Sequence, residues 1–119
     1  MAARSTAVTF NNNTTSNLTQ SGDPYLQHGI WVTKPPQTIK AGDQAVKWES
    51  ESDGILSGTQ GGVTYKFDGT DDVLELAWNN PYAGSNDYHV KKIPTEYSCS
   101  ISGGDGDNAR VTFSLEKKA

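Results

Sequence analysis

Hydrophobic and polar residues alternate along most of this chain. Thr6, Val8 and Phe10 occupy one parity and Ser5, Ala7 and Thr9 the other. The pattern recurs at Val46/Trp48, Val63/Tyr65/Phe67, Leu74/Leu76/Trp78, Tyr88/Val90, Tyr97/Cys99/Ile101 and Val111/Phe113/Leu115. A period of two sends successive side chains to opposite faces of a strand, so each run can bury one face. His28 to Thr33 and Ser16 to Gln20 are weaker strand candidates. Turn formers separate the runs: Asn11-Asn12-Asn13, Pro35-Pro36, Ala41-Gly42-Asp43, Asp53-Gly54, Asp68-Gly69, Asn79-Asn80-Pro81 and Gly103-Gly104-Asp105-Gly106. About eight short strands, with no helical period as long as ~10 residues, predict an all-β fold. The expected architecture is a single-domain antiparallel β-sandwich over residues 1–119.

Composition sharpens this picture. A chain of 119 residues forms one domain and buries roughly two-thirds of its unfolded surface. Only 34% of residues are hydrophobic, so the core is thin and aromatic rings supply much of it. Trp48 is the tryptophan expected inside, while Trp31 fits either core or surface. Gly58, Gly61 and Gly62 open space at a strand entry, for close packing first and for a ligand second. Cys99 is the only cysteine, which rules out an internal disulfide and predicts a buried, inert thiol sharing a strand face with Tyr97 and Ile101.

Charge and motifs exclude several functions. A net charge of -4 without clustered Lys or Arg argues against nucleic acid, and against binding driven by anionic lipids. His28 and His89 have no metal-spaced partner, and no Gly-X-Ser-X-Gly elbow is present, so an enzyme is not expected. Asp68 to Asp72 and Gly104 to Asn108 carry clustered oxygen donors but not the spacing of a calcium loop. Asn11 to Ser16 resembles the short calcium motif of the βγ-crystallins without the aromatic pattern that precedes it there. No metal or cofactor is expected. The opening residues MAARSTAV contain no hydrophobic leader, so the expectation is synthesis in the cytosol with retention there or non-classical release.

The candidate site is Leu74 to Val90, LELAWNNPYAGSNDYHV. Rings and side-chain amides beside one another can cover an apolar ligand face and hydrogen-bond its polar rim, as lipid head groups and sugars require. Trp78, Asn79, Asn80, Pro81, Tyr82, Ser85 and Asn86 are therefore the candidate ligand-binding residues, joined by Tyr88 and Trp31. The bland alternative makes Trp78 a core residue and Asn79-Asn80-Pro81 only a turn.

Gly58-Thr59-Gln60-Gly61-Gly62, followed by Trp78-Asn79-Asn80-Pro81-Tyr82 and Ser85-Asn86, resembles the aegerolysins in order and spacing. Arg4 to Val8 with Asn11 to Thr14, and Pro81-Tyr82, also resemble the actinoporins, and Gly58-Thr59 is similar to a motif of the fungal fruit-body lectins. The resemblance implies a β-sandwich that recognises membrane lipid, and haemolytic or toxic action together with a larger pore-forming partner protein. Residues 1–3 leave no room in this sequence for the inserting helix of the actinoporins, and Tyr82 to Ser85 lacks their dense choline-binding rings. A carbohydrate-binding lectin using the same loop is the alternative reading, and a structural or storage protein whose loop binds nothing is the third.

Overall fold

The computed structural model describes residues 3–119 and places eleven strands in them. They are β1 (Ser5–Asn13), β2 (Leu18–Gln20), β3 (Tyr25–His28), β4 (Ile30–Thr33), β5 (Thr38–Ile39), β6 (Val46–Glu51), β7 (Thr59–Phe67), β8 (Val73–Asn80), β9 (Asp87–Lys92), β10 (Tyr97–Gly103) and β11 (Asn108–Lys117). One sheet has the order β10-β11-β1-β6-β4 and the other β5-β2-β7-β8-β9, with β3 also paired to β7. β2 covers Tyr65 to Phe67 and β3 covers Gln60 to Gly62, so two short strands share one edge of β7.

The period of two translates directly into burial. Along β1 the inner parity is Thr6, Val8, Phe10 and Asn12, and along β8 it is Leu74, Leu76, Trp78 and Asn80. Trp48 lies between the sheets with ring centroids 6.2 Å from Phe10, 6.5 Å from Tyr65 and 6.2 Å from Trp78. Each such ring contributes about 2–3 kcal/mol by leaving water, and together they fill the middle of a core poor in aliphatic residues.

Three expectations change. The sheets are antiparallel except where β1 and β11 pair in parallel, from Ser5↔Asn108 to Asn13↔Glu116. A parallel pair needs a long connection between its members, and here the whole domain between the two terminal strands is that connection. Asn11 to Asn13 continue β1 instead of turning. The Asn12 amide, fully buried, donates to Ser16 O at 2.9 Å and Lys40 O at 3.0 Å, while its Oδ1 accepts from Thr14 Oγ1 at 2.7 Å. Likewise Asn79 and Asn80 lie within β8, so the turn begins at Pro81. On β10, Tyr97 and Cys99 pack against the core, but Ile101 on the same parity is exposed. Burial pushes the Cys99 thiol up to about 12, which keeps it protonated and unreactive.

Candidate functional site

Four segments meet at one end of the sandwich: the chain entering β1, the β6–β7 loop, the β8–β9 loop and the β10–β11 loop. Arg4 ties them together. Its backbone exchanges hydrogen bonds with Ser52, through Arg4 N to Ser52 Oγ at 3.1 Å and Ser52 N to Arg4 O at 2.8 Å. Its guanidinium donates to Tyr82 O at 2.9 Å, lies 5.1 Å from the centroid of the Tyr82 ring and approaches Asp107 Oδ2 at 3.5 Å. The Asn80 side chain closes the same end from within, donating to Ser5 O at 2.9 Å and Asp107 O at 2.8 Å.

The predicted ligand-binding residues divide sharply. Trp78 is 1% exposed. Its Nε1 donates to Ser50 Oγ at 3.1 Å, and Ser50 in turn bonds Thr59 Oγ1 at 2.7 Å. Trp78 is thus a core residue with a satisfied N–H, and the ligand-facing expectation fails because the inner parity of β8 runs through it. Asn80 is excluded on the same parity, its amide already engaged. Trp31 packs edge-on against Trp78 at 5.9 Å and is half-buried against the core. Asn86 donates to Gly104 O at 2.7 Å and Gly106 O at 2.8 Å, bracing one loop with another. Tyr88 hydrogen-bonds Gly104 O at 2.8 Å and lies so close over Gly104 that a Cβ there would enter its ring. Burial raises its phenol above the ordinary tyrosine range. Trp31, Asn86 and Tyr88 are half-buried, and each makes contacts within the fold.

What remains accessible is Tyr82, Ser85 and, half-buried, Asn79 and Pro81. Beside them stands a feature the sequence reading passed over. In the β6–β7 loop Ile55 is 91% exposed and Leu56 66% exposed, and Ile30 and Tyr82 are 43% exposed each. All four line one groove of about 640 Å³. Leu56 and Tyr82 also line a second hollow of about 350 Å³ with His28, Ser57, Gln60, Asn79 and Pro81. Two large aliphatic side chains at a loop tip, beside a tyrosine, cannot be explained by packing within the domain. Isolated exposed apolar residues are ordinary, whereas a contiguous group marks an interaction site.

Comparison with known proteins sets this end in context. The Aegerolysin family model matches residues 26–118. The chain belongs to the aegerolysin family. An uncharacterized protein of Dictyostelium discoideum is 26% identical to this aegerolysin over 115 residues, covering 97% of the chain but 10% of that protein. The fold of this chain is similar to three crystal structures. RahU protein, in complex with a TRIS molecule, has a TM-score of 0.80 at 19% identity, covering 100% of this chain and 98% of that one. IP-1A from Alcaligenes faecalis gives 0.70 at 22% identity, with 99% and 94% covered. The lipid binding protein Nakanori gives 0.77 at 16%, with 98% and 73% covered. At these identities the likeness is one of fold.

Within this aegerolysin the overlooked signal is local. Asp53-Gly54-Ile55-Leu56-Ser57-Gly58 sets two adjacent aliphatic residues between glycines. Neither continues the alternating pattern of β6 or β7. Adjacent apolar residues in a glycine-bounded turn cannot both face a sandwich core.

Proposed function

We propose that this aegerolysin is a non-enzymatic, membrane-lipid binding protein that docks by the end bearing Ile55, Leu56, Tyr82 and Ile30. The observation that carries the proposal is the convergence of these four exposed apolar side chains on one groove. Burying Ile55 and Leu56 in a bilayer interface would contribute about 1.5–3 kcal/mol each, enough for reversible docking without a spanning segment. The net charge of -4 gives no attraction to anionic lipid, so neutral and zwitterionic surfaces are the fitting targets. Arg4 already covers the Tyr82 ring, so that ring is not free to join a cation cage around choline. Tyr82 contributes its edge and hydroxyl at the head-group boundary, with Ser85 and Asn79 as polar neighbours.

Family membership supports the lipid reading, and the name of Nakanori agrees with it. Haemolytic or toxic action with a larger partner protein is the extension implied by the family resemblance, and non-classical release to membrane surfaces is the route proposed for it. The deciding experiment is sedimentation with vesicles of sphingomyelin, ceramide-phosphoethanolamine or phosphatidylcholine, each with and without sterol. Binding to one or more of them is expected. Absence of binding to all would remove the proposal.

A further inference from the structure

The outer face of the six-stranded sheet carries a trough that adjoins the docking end at Asn79. Its floor is Ala77 with the backbone of Gly61, and beside it Gly62, opposite Ala77 in the β7–β8 register, lies beneath the Tyr25 ring. The register continues to Tyr25 on one side and His89 on the other, giving a row Tyr25, Gly62, Ala77, His89. Tyr25 lies across Gly62 so closely that a Cβ there would fall 2.7 Å from its ring. The next row is Gln60, Asn79, Asp87, and His89 Nε2 lies 2.8 Å from Asp87 Oδ1. The open trough holds about 140 Å³.

Three side-chain amides line this trough, Gln27, Gln60 and Asn79. Those of Asn12, Asn80 and Asn86 are spent on backbone carbonyls. Gln60 and Asn79 take no part in those networks and line the open surface. Neighbouring strands lie about 4.8 Å apart, so Gln60, Asn79 and Asp87 present amide, amide and carboxylate at intervals close to the width of a sugar ring.

Gln60 and Asn79 also line the 350 Å³ hollow that reaches Leu56 and Tyr82. A continuous surface therefore runs from the apolar loop tip to the polar trough. We infer that this trough is the head-group subsite for a membrane lipid bearing a neutral sugar, with the sugar ring against Tyr25 and its hydroxyls bonded by Gln60, Asn79 and Asp87. The inference rests on the lipid-binding reading above and specifies its head group.

Charge and ring count decide against the other head groups. A phosphate would be repelled by Asp87 and would find Lys91 as the one lysine or arginine lining the trough. A quaternary ammonium group needs several electron-rich rings, and Tyr25 is the only exposed Phe, Tyr or Trp lining the trough. One ring beside uncommitted amides and a carboxylate matches hydroxyl-rich neutral chemistry, since each hydroxyl both donates and accepts.

The test compares phosphatidylcholine vesicles with and without glucosylceramide or galactosylceramide, using the wild-type chain, Gln60→Ala/Asn79→Ala, and Ala77→Leu. The last variant fills the floor without removing a polar contact. Urea melting establishes that each variant is folded. The expected result is at least about tenfold tighter binding to glycolipid vesicles, with the preference lost in both variants. Equal binding with and without glycolipid, or a preference surviving in both variants, would overturn the inference while leaving lipid docking intact. Failure to bind any vesicle would overturn both. Saturation by methyl glucoside or methyl galactoside, seen as shifts of Tyr25 and His89 resonances without vesicle binding, would also refute the lipid assignment and leave a site for free sugar.

Discussion

Trp78→Ala separates packing from binding at the residue where the two readings diverge most. The ring is 1% exposed and lies 5.9 Å from Trp31 and 6.2 Å from Trp48. Truncation removes about 200 Å² of buried aromatic surface, which at ~25 cal/mol per Å² is about 5 kcal/mol as an upper bound. Large-to-small core changes of this type cost about 3–5 kcal/mol. The lost N–H bond adds little, because Ser50 Oγ retains Thr59 Oγ1 at 2.7 Å. Against a total stability of about 5–15 kcal/mol the variant is severely weakened. With a urea slope near ~1.5 kcal/mol per M, its midpoint should fall by about 2–3 M. Urea melting followed by far-ultraviolet circular dichroism measures this without relying on tryptophan emission. Vesicle binding per folded molecule should not change. A loss below about 1 kcal/mol, or a binding defect in fully folded protein, would refute the assignment of Trp78 to the core.

Other outcomes follow from the same contacts. Asn80→Ala removes the buried amide's bonds to the carbonyls of Ser5 and Asp107, although Asp107 O keeps the Ser5 N–H at 2.9 Å, and should cost about 1–2 kcal/mol in a urea melt. Arg4→Ala removes the bond to Tyr82 O, the ring contact and the Asp107 pair. It should cost only about 1 kcal/mol but speed amide hydrogen exchange across Pro81 to Asn86. Alkaline pH should destabilise the fold. Burial raises Cys99 from 9.0 to about 12 and raises Tyr65 and Tyr88 as well. The unfolded chain therefore releases protons that the folded chain keeps. Stability from Cys99 is intact below about pH 9 and declines as pH rises towards about 12. Melts at stepped pH should show that decline, reduced in Cys99→Ala.

Much of the fold was legible because the period of two survives into burial. Val8, Phe10, Leu74, Leu76, Val111 and Phe113 all sit where alternation places them. The parallel β1–β11 pair was not legible, because strand order between chain ends leaves no mark on either strand's pattern. Asn11 to Asn13 and Asn79-Asn80 were read as turns on composition, yet tertiary partners for the buried amides of Asn12 and Asn80 hold them in strands. In the candidate loop Tyr82 and Ser85 are accessible, whereas Trp78 is buried. Aromatic content draws attention equally to a binding ring and to a core ring, and only parity along β8 separates them. Ile55 and Leu56 escaped notice because two aliphatic residues look like core until their loop is seen to lie outside both sheets.

The central claim is docking through the apolar tip, and Ile55→Ser/Leu56→Ser tests it most directly. Both side chains are mostly in water already, so urea stability should stay within about 0.5 kcal/mol of the parent. Vesicle co-sedimentation of parent and variant, on a neutral or zwitterionic composition that the parent binds, is the measurement. The docking account predicts at least about a hundredfold weaker partitioning of the folded variant, the loss of about 3 kcal/mol or more of apolar burial. Undiminished binding by the folded variant would contradict it.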